Sequence, residues 1–143
     1  MIRVEPVPAD RLERCLAVRR RVFVEEQGVA PEEEEDGRDA ACLHWLAWWG
    51  DEPVGTARLR ALPDGWKAER VAVLPPHRQH GIGLALMRAL EAEAWRRGAA
   101  RLLLHAQSAV ISFYERQGYR AEGPVFDEAG IPHRKMSKPR PPC

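Results

Sequence analysis

The sequence predicts a mixed α/β (α+β) fold, a central sheet of about seven strands flanked by about four helices. Three observations carry this. Apolar, β-branched and aromatic runs bounded by Gly, Pro and Asp turn signals recur along the chain. One long segment, Ile82 to Arg97, has the helical period. The strands before that segment follow one another as hairpins, whereas a strand–helix–strand succession around it demands a parallel crossover.

Each element has a local justification. Ile2 to Val7 reads as a short strand ended by prolines. Asp10 is a plausible N-cap, and Leu12, Leu16, Arg19/Arg20 and Phe23 follow helical spacing, with Cys15 and Val22 on the same face. This helix is expected to reach Glu26 and to end at Gly28. Pro31 to Asp39 is acidic and holds no large apolar residue, so it reads as a solvated loop or a short polar helix. His44–Trp49 and Val54–Leu62 form a hairpin across Gly50-Asp51-Glu52-Pro53, and Pro63-Asp64-Gly65 turns the chain into a strand from Trp66 to Leu74. In the 82–97 helix, Leu86, Leu90 and Ala94 stand four residues apart with Met87 beside them, and Gly98 closes it. Arg101–His105 is a buried-type strand and Ser108–Gln117 a short helix. Tyr119–Gly123 and His133–Ser137 complete a last hairpin around residues 126–132.

The 143 residues carry a formal net charge of only +1. One domain over residues 1–137 is expected, with a loose Pro-rich tail at 138–143. Near-neutral charge argues against nucleic acid as partner. No apolar run approaches a membrane span, and Met1 to Pro6 does not read as a signal peptide. The basic residues include only three lysines, Lys67, Lys135 and Lys138. Cys15, Cys42 and Cys143 are too scattered for a zinc pattern, so no metal is expected and a reducing cytoplasm is the simplest setting.

The most informative stretch is Val71 to Trp95. A β-branched run stops at Pro75-Pro76, a basic turn with two glycines follows from Arg78 to Gly83, and a helix starts at once. Free N–H groups and the dipole of a helix's first turn hold anions. Gly81 and Gly83 let a bulky anion approach the backbone, and Arg78 offers forked donors to phosphate. A P-loop is excluded because no Gly-Lys pair occurs. A dinucleotide fingerprint is weakened by Leu86 at its third glycine position, and a nucleotide-binding module is the least favoured reading.

The remaining reading is Arg78-Gln79-His80-Gly81-Ile82-Gly83, preceded by V-x-V-x-P. It resembles the acyl-CoA loop [QR]-x-x-G-x-[GA] of the GNAT superfamily of N-acetyltransferases, and the element order matches that fold over nearly the whole chain. Val22–Gln27, the acidic loop to Asp36 and Asp39, His44, Gly55-Thr56-Ala57-Arg58, Phe113-Tyr114-Glu115 and Gly130–Met136 look like the ElaA-type subfamily of small bacterial acetyltransferases.

The resemblance implies acetyl-CoA as acyl donor and a small-molecule or peptide amine as acceptor, joined by direct attack in a ternary complex. It assigns the pyrophosphate to the N–H groups of Gln79, His80, Gly81, Ile82, Gly83 and Leu84. The pantetheine arm falls to the backbone of Val71, Ala72 and Val73, with an oxyanion donor near Val71 or Ala72. Tyr114, in S-F-Y-E-R-Q-G-Y, becomes the general acid toward the leaving thiolate. A lysine-type amine has a pKa of about 10.4, so a base is also needed. Glu69 on the central strand is the first candidate and Glu26 the second, although a one-residue slip would turn Glu69 to the other face. His44, His105 and His133 read as structural, and His80 as facing phosphates or water. The acidic loop could attract a cationic acceptor. A non-catalytic acyl-CoA sensor on the same fold is the alternative, and an edge strand near the C-terminus would permit a homodimer.

Overall fold

Strand β1 (Ile2–Val7) is followed by α1 (Glu13–Arg19), which runs on into a π-helical segment at Arg20–Glu26. Then come α2 (Pro31–Glu34), β2 (Leu43–Trp49), β3 (Glu52–Leu62), β4 (Gly65–Val73), α3 (Ile82–Arg96), β5 (Arg101–Gln107), α4 (Ile111–Glu115), β6 (Arg120–Glu128) and β7 (Ile131–Pro139). The computed structural model describes residues 1–142. Cys143 lies outside them.

The seven strands form one sheet in the order β1-β2-β3-β4-β5-β7-β6. All neighbours are antiparallel except β4 and β5, the crossover pair expected around α3. On one face, Leu86, Met87, Leu90 and Ala94 of α3 lie fully buried against Val54, Leu59, Leu102 and Leu104. On the other, Val18 and Val22 pack on Ala72 and Leu74. Gly55 permits the close approach of α3. A Cβ there would meet Ala72 O, Ile82 Cγ2 and Leu86 Cδ1, each at 3.1 Å.

Three features differ from the sequence reading. The last hairpin is longer and its turn tighter. Only Ala129 and Gly130 join β6 to β7, both with positive φ (53° and 77°), the two-residue connection that matches strand twist. Gly123-Pro124 and Pro132 read as breakers, but the first lies in a bulge between Glu122 and Phe126. Pro132 takes a ladder position opposite Asp127. The tail is also not loose from residue 138. Lys138 and Pro139 extend β7 opposite Leu102 and Arg101, and Arg140 N donates to Ala100 O at 2.8 Å. Pro139 is tolerated because it ends the strand.

The acidic segment differs most. Its start is the short helix α2, but Glu34 is buried rather than solvated. Arg19 and Arg58, both fully buried, reach it from α1 and β3. Arg19 donates to Glu34 at 2.9 Å and to Asp39 at 2.8 Å. Arg58 donates to Asp36 at 2.9 Å and to Asp39 at 2.9 Å. The segment's inner carboxylates thus staple it to the sheet, leaving Glu32, Glu33 and Glu35 exposed.

Candidate active site

The site begins where β4 and β5 part. Their pairing covers only Trp66–Ala68 against Leu102–Leu104. At the next residues β4 is bulged: the register against β3 slips between Thr56 and Arg58, and Arg70 sits at φ 55°. A bulge bends and twists its strand. It also reverses the side-chain alternation. Val71 and Val73 join Ala68 on the α3 face, while Ala72 packs toward α1. Glu69, opposite Arg58, stays on the α1 face. Glu69 precedes the slip, so the bulge leaves its face unchanged and turns Val71–Val73 instead.

The parting strands open a cavity of about 830 Å³. It is lined by Gln79, Gly81, Ile82, Gly83 and Leu84 of the glycine turn, by Val71–Val73 and Tyr114, and by His105, Gln107, Glu128 and His133. The π-helical segment turns Val22, Phe23 and Gln27 toward the same space. Its wide turns are visible in Gln27 N donating to Val22 O, at 3.1 Å, and such segments often mark functional places.

In the glycine turn, the N–H groups from Gln79 to Leu84 make no hydrogen bond to any described residue; the first helical bond of α3 is Ala85 N to Gly81 O. Gln79 and Gly81 both have positive φ, 67° and 82°, the alternation that curls successive N–H groups into an anion nest. At Gly83 a Cβ would meet Phe113 Cζ at 3.2 Å. These residues fit a pyrophosphate. The Arg78 side chain is held differently from the expectation. It bonds Glu26 with two contacts of 2.7 Å and Val73 O at 2.9 Å. Glu26, the second base candidate, therefore stands against the phosphate turn, and its bond to Arg78 holds its carboxyl below the usual range. The His80 ring leans on Trp49 at 5.4 Å between centroids and does not line the cavity.

Tyr114 lines the cavity and is buried. Burial pushes its phenol up to about 12, and its hydroxyl bonds no other described side chain. Glu69 is in a different condition. Its carboxylate accepts from Arg58 at 2.7 Å and from Arg60 at 2.9 and 3.0 Å, with Lys67 at 3.1 Å. Burial alone would raise its pKa, but Arg60, Arg58 and Lys67 bring it down to about 2. A carboxylate offers about four lone-pair sites, and all are taken. This geometry opposes a proton-accepting role for Glu69, because neither a free lone pair nor suitable basicity remains.

Residues absent from the sequence reading of the site complete its lining. His105 Nδ1 lies 2.9 Å from Glu128 Oε1, and Gln107 donates to Gln27 at 2.8 Å. The signal for these was register: β5 continues to Gln107, so His105 and Gln107 fall past the last β4 pairing. Arg19 and Arg58 also had a signal, as charged residues on otherwise apolar faces.

The fold and the site define a class, and the comparisons agree. Residues 13–140 match the model of the acetyltransferase (GNAT) domain. The chain belongs to that family and is an acetyl-CoA-dependent acetyltransferase. It is 41% identical over 131 residues to a Bacillus subtilis (strain 168) protein named uncharacterized N-acetyltransferase YjcF, covering 90% of this chain and 93% of that one. The crystal structure of Escherichia coli ElaA is 28% identical and superposes with a TM-score of 0.85 over 96% of this chain and 99% of that one. An aminoglycoside 6'-N-acetyltransferase complexed with coenzyme A shares the fold, with a TM-score of 0.80 at 19% identity over 99% and 98% of the two chains.

Proposed function

We propose that this chain transfers the acetyl group of acetyl-CoA to a primary amine of a small molecule or peptide, by direct attack with both substrates bound. The observation that carries the reading is the row of unpaired N–H groups from Gln79 to Leu84 opening onto the cavity that Tyr114 lines. Acetyl-CoA supplies an activated thioester.

The N–H groups of Gln79, His80, Gly81, Ile82, Gly83 and Leu84 hold the pyrophosphate without side-chain charge, aided by the α3 dipole. The β4 edge at Val71, Ala72 and Val73 has no β5 partner and pairs with an extended amide-bearing arm. A backbone N–H beside the Arg70 bulge, at Val71 or Ala72, is fixed before reaction and polarises the thioester carbonyl. The Tyr114 hydroxyl, protonated at neutral pH and bound to no other side chain, gives its proton to the leaving sulfur. Glu69 keeps its charge and fixes Arg58, Arg60 and Lys67 at the base of the cleft.

Calorimetric titration with CoA, followed by thiol release from acetyl-CoA across a panel of primary amines, tests this. Binding with amine-dependent release is the expected result. Absence of CoA binding overturns the reading, and binding without release from any amine favours the acyl-CoA sensor.

A further inference from the structure

We propose that His105 is the base that takes the proton from the acceptor amine, and that Glu128 is the residue that positions it. The inference rests on the acetyl-transfer reading above.

His105 is the first β5 residue beyond the last β4 pairing, Ala68 with Leu104. It lines the cavity, as Tyr114 does. Its Nδ1 stands 2.9 Å from Glu128 Oε1 and 3.3 Å from Lys67 Nζ. A ring nitrogen cannot both donate to the first and accept from the second. The carboxylate contact is shorter, and the Lys67 ammonium already has Glu69 at 3.1 Å. The hydrogen-bond network therefore assigns the proton to Nδ1, directed at Glu128. The lone pair is left on Nε2, which bonds no described residue.

The ring is held from a second side by Phe126, edge-on at 5.0 Å and 77°. The charged and titratable groups around it are these. β4 presents Lys67, and β6 presents Glu128. β7 presents Lys135, which shares the His105 register position and lies 3.9 Å from Glu122. β7 also presents His133, whose Nδ1 is 2.7 Å from Ile131 O and whose Nε2 is 3.8 Å from Glu128. Across the cavity the acidic segment contributes Glu33, Glu34, Asp36 and Arg38, and the β4 bulge contributes Arg70. Among the carboxylates nearby, Glu69 is saturated by its cations. Glu128 is held below the ordinary carboxylate range by its hydrogen bond to His105, which makes it an orienting anion and a poor base.

The proton balance closes. His105 Nε2 accepts one proton from the ammonium, directly or through one water. The freed nitrogen lone pair forms the C–N bond as the C–S bond breaks. Sulfur takes the Tyr114 proton. The second proton lost from nitrogen goes to solvent, and solvent re-protonates Tyr114. Deprotonation of His105 then releases the net proton of the reaction.

The test has two arms on the full chain. Long-range ¹H–¹⁵N NMR of the histidine rings reads the tautomer without any turnover. The expected signal for His105 is protonated Nδ1 with bare Nε2, and loss of that preference in E128Q; a neutral Nε2–H tautomer in the wild type overturns the proposal. Thiol release from acetyl-CoA with lysine, spermidine and glycinamide reads the chemistry. H105Q is expected to lose about 100-fold in kcat, with the KM for acetyl-CoA unchanged and the acidic limb of the pH profile gone. E128Q is expected to lose about 10-fold, with the limb displaced. An H105Q enzyme that keeps the wild-type rate or limb overturns the assignment of His105 alone. Failure of CoA binding in the wild type overturns the donor-site reading instead.

Discussion

The guanidinium of Arg78 grips the carboxylate of Glu26 through two hydrogen bonds of 2.7 Å, joining the end of the first helix to the phosphate turn across 52 residues of sequence. Both side chains are more than a third exposed, so the pair itself adds little stability. Its effect is on charge: a carboxylate lies beside the place proposed for a pyrophosphate. Glu26→Gln removes that charge and is expected to tighten CoA binding by roughly 3- to 10-fold at low salt, with the gain fading as salt rises. Arg78→Ala releases the turn from Val73 O and leaves the Glu26 charge uncompensated, so it is expected to weaken binding by about 10-fold. Calorimetry at two ionic strengths measures both.

Tyr114→Phe removes one hydroxyl that makes no bond to another described side chain, so folding is barely touched. The melting temperature and CoA affinity are expected to hold while kcat falls about 100-fold. Because burial pushes the phenol up to about 12, Tyr114 stays protonated from pH 6 to 10. Any basic limb of the wild-type rate profile in that range then belongs to another group, and Tyr114→Phe should leave its midpoint in place.

Arg58 is fully buried and pairs with Asp36, Asp39 and Glu69 together. Arg58→Met leaves three carboxylates without their shared cation. The expected loss is about 3–5 kcal/mol in urea denaturation, the scale for breaking a buried ion pair from one side. A surface pair such as Arg96–Glu93 should give no comparable loss.

Acid should act on the same network. For Asp36, Asp39 and Glu69, burial opposes ionisation but the arginine contacts win, so all three titrate below their ordinary range. Groups lowered in the folded state contribute fully above their unfolded pKa and lose the contribution as pH falls through the folded one. The network's own contribution is therefore expected to be full above about pH 5 and to decline toward pH 2, where Glu69 titrates. Glu69→Gln should flatten part of that decline, by up to roughly 3 kcal/mol.

Gly55→Ala places a Cβ at 3.1 Å from a β4 carbonyl and from two α3 side chains. Helix α3 must shift outward, at a cost of about 1–3 kcal/mol. Because the same helix begins at the phosphate turn, CoA affinity should fall alongside the melting temperature, a coupling that thermal shift and calorimetry can follow in one series.

The sheet was largely legible because alternation and turn residues mark strands locally. The α3 helix was legible from Leu86, Leu90 and Ala94, and the phosphate turn from its glycines. The bulge at Arg70 was not, since nothing in an arginine announces positive φ; that state is imposed by pairing with β3. The last hairpin was misjudged because Pro124 and Pro132 signal breaks, whereas a bulge and a ladder position accommodate them. The acidic segment was read as solvated because its composition is polar. Its burial depends on Arg19 and Arg58, which are distant in sequence and whose placement on apolar faces was the only trace. His105 and Glu128 meet only through the β5–β7–β6 register, a long-range property that local pattern does not carry.

The short seam between β4 and β5 has a wider meaning. Three residue pairs join a leaf of four strands to a leaf of three, so the protein omits part of its own ladder along the line where the proposed donor lies. The substrate then acts as a missing strand as well as a reactant. Occupancy should knit the two leaves together, and the enzyme should be most rigid when loaded and most yielding when it must let product go.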